Sequence, residues 1–125
     1  MAHRHLSEAQ LAEFRGLLDA RLADALAQRG RIDGSLADVR ESRSDGMADD
    51  EHDPEGPTMS SEWSRLAGTY EAVDTELAAI QAARERLDGG SYGICVRCGE
   101  SIPVERLRAR PEAALCIACA QAVGA

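Results

Sequence analysis

The chain of 125 residues carries 22 acidic side chains against 14 basic ones, for a net charge of −8, and every basic residue is an arginine. Phe14, Trp63, Tyr70 and Tyr92 are its whole aromatic content, which argues against a large globular core and for a long thin structure with a small metal-held head. The net acidity disfavours broad contact with nucleic-acid phosphates, no apolar run approaches the roughly 18 residues of a membrane span, and the opening M-A-H-R-H-L-S-E-A-Q lacks the apolar stretch of a secretory leader. The expectation is a cytoplasmic monomer in a reducing compartment, where thiols bind metal more often than they pair.

Residues 1–6 read as a frayed tail. Ser7 then stands where a helix cap belongs, with Gln10 at the reciprocal position of a capping box. From there Leu11, Phe14, Leu18, Leu22, Ala25, Ile32, Leu36 and Val39 recur at threes and fours or sums of them, the stripe of a helix over about 7–43. Gly30 and Gly34 weaken it by about 1 kcal/mol each relative to alanine, so a bend near Gly30, or a break there, is the alternative. The pattern stops in S-D-G-M-A-D-D-E-H-D-P-E-G-P-T, where Asp45, Asp49, Asp50, Glu51, Asp53 and Glu55 crowd together among Gly46, Pro54, Gly56 and Pro57; this predicts a tight acidic loop at about 45–57. Thr58 or Ser60 caps a second helix. Its apolar positions Met59, Trp63, Leu66, Tyr70, Val73, Leu77, Ile80 and Leu87 alternate steps of four and three, with Arg84 as one interruption, until Gly89 and Gly90 end it. Two such helices joined by a short turn predict an antiparallel hairpin over 7–90, roughly 45 Å long, in which each helix supplies the other's apolar partner. Trp63 and Tyr70 read as core.

The four cysteines fall into two C-x-x-C pairs, Cys95 with Cys98 and Cys116 with Cys119, separated by seventeen residues. That spacing lets four thiolates close a tetrahedron around one Zn²⁺. With no open coordination position, the site is structural rather than hydrolytic. Two disulfides, or a redox pair in a βαβ setting, are the other readings of the same pairs. Gly99 suits the tight turn of a zinc knuckle, Pro103 starts a short helix that Pro111 ends, and A-L-C-I-A-C-A-Q-A starts another. The fold class is therefore mainly α: a long antiparallel hairpin followed by a four-cysteine zinc finger over 91–125. His3, His5 and His52 have no nucleophile arranged beside them, so an enzyme is not expected. Arg106, Arg108 and Arg110 lie among Glu100, Glu105 and Glu112, which favours pairing with carboxylates over sequence-specific DNA contact.

The stretch from Tyr92 to Cys119, Y-G-I-C-V-R-C-G-E-S-I-P-V-E-R-L-R-A-R-P-E-A-A-L-C-I-A-C, preceded by a hairpin with an acidic turn, closely resembles the DksA/TraR family of bacterial transcription regulators. The turn D-D-E-H-D-P-E-G resembles that of its actinobacterial branch. The resemblance implies direct binding to RNA polymerase, with the hairpin in the secondary channel and tip carboxylates near the active site. Asp50 and Asp53 match the family's tip aspartates, with Asp49, Glu51 and Glu55 as further contributors; Glu55 stands where the family carries alanine. Some relatives bind guanosine tetraphosphate through basic side chains. The positions matched here are Ala72, Ala79 and Ala120, none of which can pair with a phosphate. Without the resemblance, the residues equally describe a zinc-ribbon adaptor for another protein, its acidic loop merely solvated.

Overall fold

A computed structural model describes residues 6–49 and 56–124, with side chains described over 6–41 and 61–124. Four helices follow one another: α1 (Glu8–Asp49), α2 (Gly56–Gly89), α3 (Val104–Ala109) and α4 (Ile117–Val123). An isolated antiparallel bridge between Ile94 and Ser101 is the only β pairing among the described residues.

The start of α1 is set by the capping box read from the sequence. The Gln10 amide donates to Ser7 Oγ at 3.0 Å, and the Ser7 amide donates back to Gln10 Oε1 at 2.9 Å, so two of the helix's orphan donors are satisfied. Leu6 corrects the reading of 1–6 as a tail: it is buried. It precedes the cap, and with Leu11 it occupies the two positions of a hydrophobic staple. Residues 1–5 lie outside the described residues.

α1 then runs unbroken for 42 residues. Gly30 and Gly34 do not interrupt it: both are exposed, and a Cβ built on either would meet nothing within 4 Å. Both helices also reach further than expected. α1 continues past Arg43 to Asp49, and α2 begins at Gly56, ahead of Thr58 and Ser60, which trims the loop predicted at 45–57 from both sides. An isolated glycine such as Gly46 weakens a helix without stopping it. Pro57 falls in the first turn of α2, where its missing amide hydrogen has no intrahelical partner to lose.

The described chain forms two compact units. One unit comprises residues up to Ala23 and from Leu77 onward. Its core gathers Leu6, Phe14 and Leu18 of the N-terminal segment, Leu77, Ile80, Ala83 and Leu87 of α2, and Tyr92, Ile102, Leu107 and Pro111 beyond it. The Phe14 and Tyr92 rings lie 5.5 Å apart at 42°. Arg15 pairs with Asp88 at 3.1 Å and Asp19 with Arg84 at 3.3 Å; four residues forward on α1 is four back on α2, the signature of an antiparallel register. Arg84, the interruption in the apolar stripe, brings its Nε to Asp19 without the alignment of a hydrogen bond.

The other unit, Asp24–Glu76, consists of α1 and α2 segments on either side of the connection. Among its described residues Ala25, Ile32, Leu66 and Val73 are buried. Trp63 and Tyr70, read as core, are only half-buried, because each presents its ring to an arginine. The Arg29 guanidinium lies 4.9 Å from the Tyr70 ring centre, donates to the Tyr70 hydroxyl and pairs with Asp74 at 3.1 Å. Arg40 covers Trp63 at 5.6 Å. These contacts hold this unit's helices antiparallel as well.

Candidate metal centre

The first cysteine pair grows out of the end of α2. Gly90, at φ +89°, takes the left-handed conformation that closes the helix, and the amides of Ser91 and Tyr92 both donate to the Arg86 carbonyl. The chain then folds back on itself around the Ile94–Ser101 bridge: the Cys95 amide donates to Glu100 and the Ile102 amide to Gly93, each at 2.8 Å. At the apex the Gly99 amide donates to the Cys95 carbonyl at 2.9 Å with φ +79°. A side chain at Gly99 would strain that turn.

The second pair belongs to α4. Cys116 is its N-cap residue, and the Ala120 amide donates to the Cys116 carbonyl at 2.9 Å. Three residues on, Cys119 lies on the same face one turn later. The two pairs converge, so that all four Sγ atoms lie within 4.8 Å of one another, with Cys98 and Cys116 at 3.8 Å. Sulfurs held at the usual Zn–S distance of about 2.3 Å stand about 3.8 Å apart along a tetrahedral edge. Four soft sulfur donors leave no position for water, so the arrangement fits a structural zinc and offers no hydrolytic chemistry.

The thiols do not ionise alike. Burial opposes the Cys95 thiolate, but amide donors from Cys98, Cys116 and Arg97 outweigh it and pull this thiol down to about 6. At Cys98 the Glu100 amide favours the thiolate, yet desolvation and neighbouring sulfurs push it up to about 12. Burial, then Cys116, raises Cys119.

From the last residue of α3 to Cys116 runs a strap at 109–115. Its carbonyls at Ala109, Pro111, Ala113 and Leu115 accept from Arg21 at 2.7 Å, the Tyr92 hydroxyl at 2.8 Å, Arg86 at 3.4 Å and Arg106 Nε at 2.9 Å. Burial raises the Tyr92 hydroxyl's pKa and lowers that of the Arg86 guanidinium. Of the arginines that the sequence placed among carboxylates, Arg108 pairs with Glu13 at 2.9 Å and Arg110 lies 3.7 Å from Glu112. Sequence reasoning missed Arg21, Tyr92, Arg86 and Arg106 as strap donors, since bonds from side chains to distant carbonyls leave no periodic trace.

The model of the prokaryotic DksA/TraR C4-type zinc finger matches residues 90–123, spanning the knuckle, strap and α4. The hairpin is matched as well. The RNA polymerase-binding transcription factor DksA of Haemophilus influenzae is 28% identical over 115 residues, covering 92% of this chain and 74% of that protein. DksA of Escherichia coli K12 is equally identical over the same length. The solved structure of transcription factor DksA2 from Pseudomonas aeruginosa superimposes with a TM-score of 0.78 at 28% identity, covering 94% of this chain and 85% of that one. Residues 90–123 thus carry the DksA/TraR zinc finger, and the chain as a whole is similar to DksA. An uncharacterised Aquifex aeolicus protein is 49% identical over 47 residues, a segment covering only 32% of its own length.

As in the DksA/TraR finger, the four clustered cysteines indicate one structural zinc ion. Asp50, Glu51, Asp53 and Glu55 lie outside the described residues, and Asp49 is the last residue of α1. Of the positions matched to the family's basic side chains, Ala72 is exposed, while Ala79 and Ala120 line a cleft of about 530 Å³ beside Arg106 and Arg110.

Proposed function

We propose that this protein binds RNA polymerase directly and regulates transcription initiation, with the helical hairpin inserted in the polymerase secondary channel and Asp50 and Asp53 carried toward the active site. The observation that supports this most is the extent of the likeness to DksA: it runs over 92% of the chain, hairpin and finger together, rather than over the zinc finger alone. In this reading Cys95, Cys98, Cys116 and Cys119 are the zinc ligands, and the protein acts as a cytoplasmic monomer without catalysing a reaction of its own. The metal keeps the finger folded. The tip acts by electrostatics: Mg²⁺ takes oxygen ligands and usually one or two carboxylates beside phosphate and water, so two aspartates on a turn can perturb metal, substrate or mobile elements near it. The missing basic side chains at Ala72, Ala79 and Ala120 predict little synergy with guanosine tetraphosphate through this protein.

The test has two stages. Purified core polymerase is titrated with the zinc-loaded protein, and saturable binding is expected; no binding leaves the adaptor reading instead. The double substitution Asp50→Asn with Asp53→Asn is then expected to bind almost as well while its effect on a sensitive promoter nearly vanishes. A doubly substituted protein that still regulates removes the role given to the tip.

A further inference from the structure

Beyond Ala109 the strap is irregular, yet most of the carbonyls at 109–115 accept a hydrogen bond. Pro111 is buried and Ala113 and Leu115 half-buried, where backbone acceptors need partners, and the partners come from four places in the fold. Arg21 reaches from α1, Arg86 from α2, Tyr92 from the turn after α2 and Arg106 from α3, taking every second carbonyl from Ala109 to Leu115. A fifth carbonyl, that of Ala114, accepts the amide of Val96 at 2.9 Å. Val96 lies between the two cysteines of the first pair, and the residue after Leu115 is Cys116. The strap is thus bonded to the helices at one set of carbonyls and to the knuckle at another, and it delivers a third sulfur to the site.

We propose that Arg86 and Arg106 are positioning residues for the zinc centre, and that the strap couples metal occupancy to the packing of α1 and α2 in this unit. Holding the carbonyls of Ala113 and Leu115 fixes where Cys116 enters the cluster. Conversely, zinc drawn to Cys116 aligns those carbonyls with their guanidiniums. Such coupling is reciprocal: whatever factor the arginine bonds add to zinc affinity, zinc adds to those bonds.

Zinc affinity is read by competition with a chromogenic chelator at fixed pH, using the whole chain. Arg86→Ala and Arg106→Ala are each expected to weaken zinc about tenfold, at the low end of what support residues around metal sites contribute, and to speed its release. Arg86→Lys and Arg106→Lys, which keep a charged donor, should recover most of that loss. Arg15→Ala breaks an ion pair with Asp88 in the same unit that includes none of the strap's donors, and should leave zinc affinity unchanged. In the reverse direction, chelating the zinc should speed amide exchange in α1 at 14–22 and in α2 at 80–88. Wild-type zinc affinity in both alanine variants overturns the proposal. So does an equal loss in Arg15→Ala, or a lowered melting temperature without any change in zinc binding or any recovery by lysine. Should an alanine variant fail to fold, the lysine variant and the exchange experiment on the unsubstituted protein carry the test.

Discussion

The two compact units hold the same pair of helices together by different means. In the unit containing the finger, α1 and α2 share a core with the knuckle and α3: Phe14 meets Tyr92, and Ile102, Leu107 and Pro111 are all buried. In the unit Asp24–Glu76 the described helices have only each other, and Ala25, Ile32, Leu66 and Val73 are buried among them. Two helices expose most of their circumference, so a paired segment buries one stripe and no more. The second unit compensates at the margins of that stripe, with Arg29 on Tyr70 and Arg40 on Trp63. The same helical pattern therefore carries different stability along its length, according to whether a third element covers it.

The largest expected effect tests the metal side of that contrast. Zinc contributes on the order of 10–16 kcal/mol to ordering small metal-held modules at neutral pH. Cys98→Ser should therefore release the metal and unfold 92–119 while the hairpin keeps part of its helicity, read by metal analysis and circular dichroism. Full zinc retention would break the contrast. The same site predicts a proton count. At pH 7 the Cys95 thiol, at about 6, is already largely ionised, whereas Cys98, at about 12, and Cys119, raised by burial, are protonated. Metal binding then displaces protons from Cys98 and Cys119, and zinc affinity falls as pH falls because protons compete for the thiolates. Calorimetry in buffers of different ionisation enthalpy should find at least two protons released per zinc.

Core truncations come next. Phe14→Ala should cost about 3–5 kcal/mol in denaturant unfolding and loosen the finger's amides with it. Leu66→Ala should cost about 2–3 kcal/mol and leave the finger's amide protection intact. If both substitutions loosen the finger alike, the two units do not differ as argued.

A smaller and opposite effect is expected at Gly30. Its surroundings are open, so Gly30→Ala should stabilise the helix by about 0.5–1 kcal/mol, seen as a rise in melting temperature. Smallest of all, Arg40→Ala removes the cover from Trp63 and should cost about 0.5–1 kcal/mol, with a change in tryptophan fluorescence and no change in zinc content.

Much of this was legible in the sequence because it rests on short-range rules. The Ser7–Gln10 capping box, the buried stripe from Phe14 to Ile32, the run from Leu66 to Leu87 and the convergence of two C-x-x-C pairs each follow from spacing alone. What escaped depends on context. Leu6 looked like tail because one leucine carries no period. The end of α1 lies later, and the start of α2 earlier, than the sequence suggests, because glycine and clustered acids break long helices less than their local preferences imply. The strap donors escaped because Arg21 and Ala109 are far apart in sequence and meet only after folding.

Every cation in the ion pairs described above is a guanidinium, and the sequence has no lysine at all. The chemistry of the surface follows from that choice. Acetylation and other acylations of side-chain amines find no acceptor, and amine-seeking cross-linkers would record no side-chain contact even where one exists. Mapping this protein onto a partner therefore calls for reagents directed at its 22 carboxylates, and control of its charge in the cell must come through something other than lysine modification.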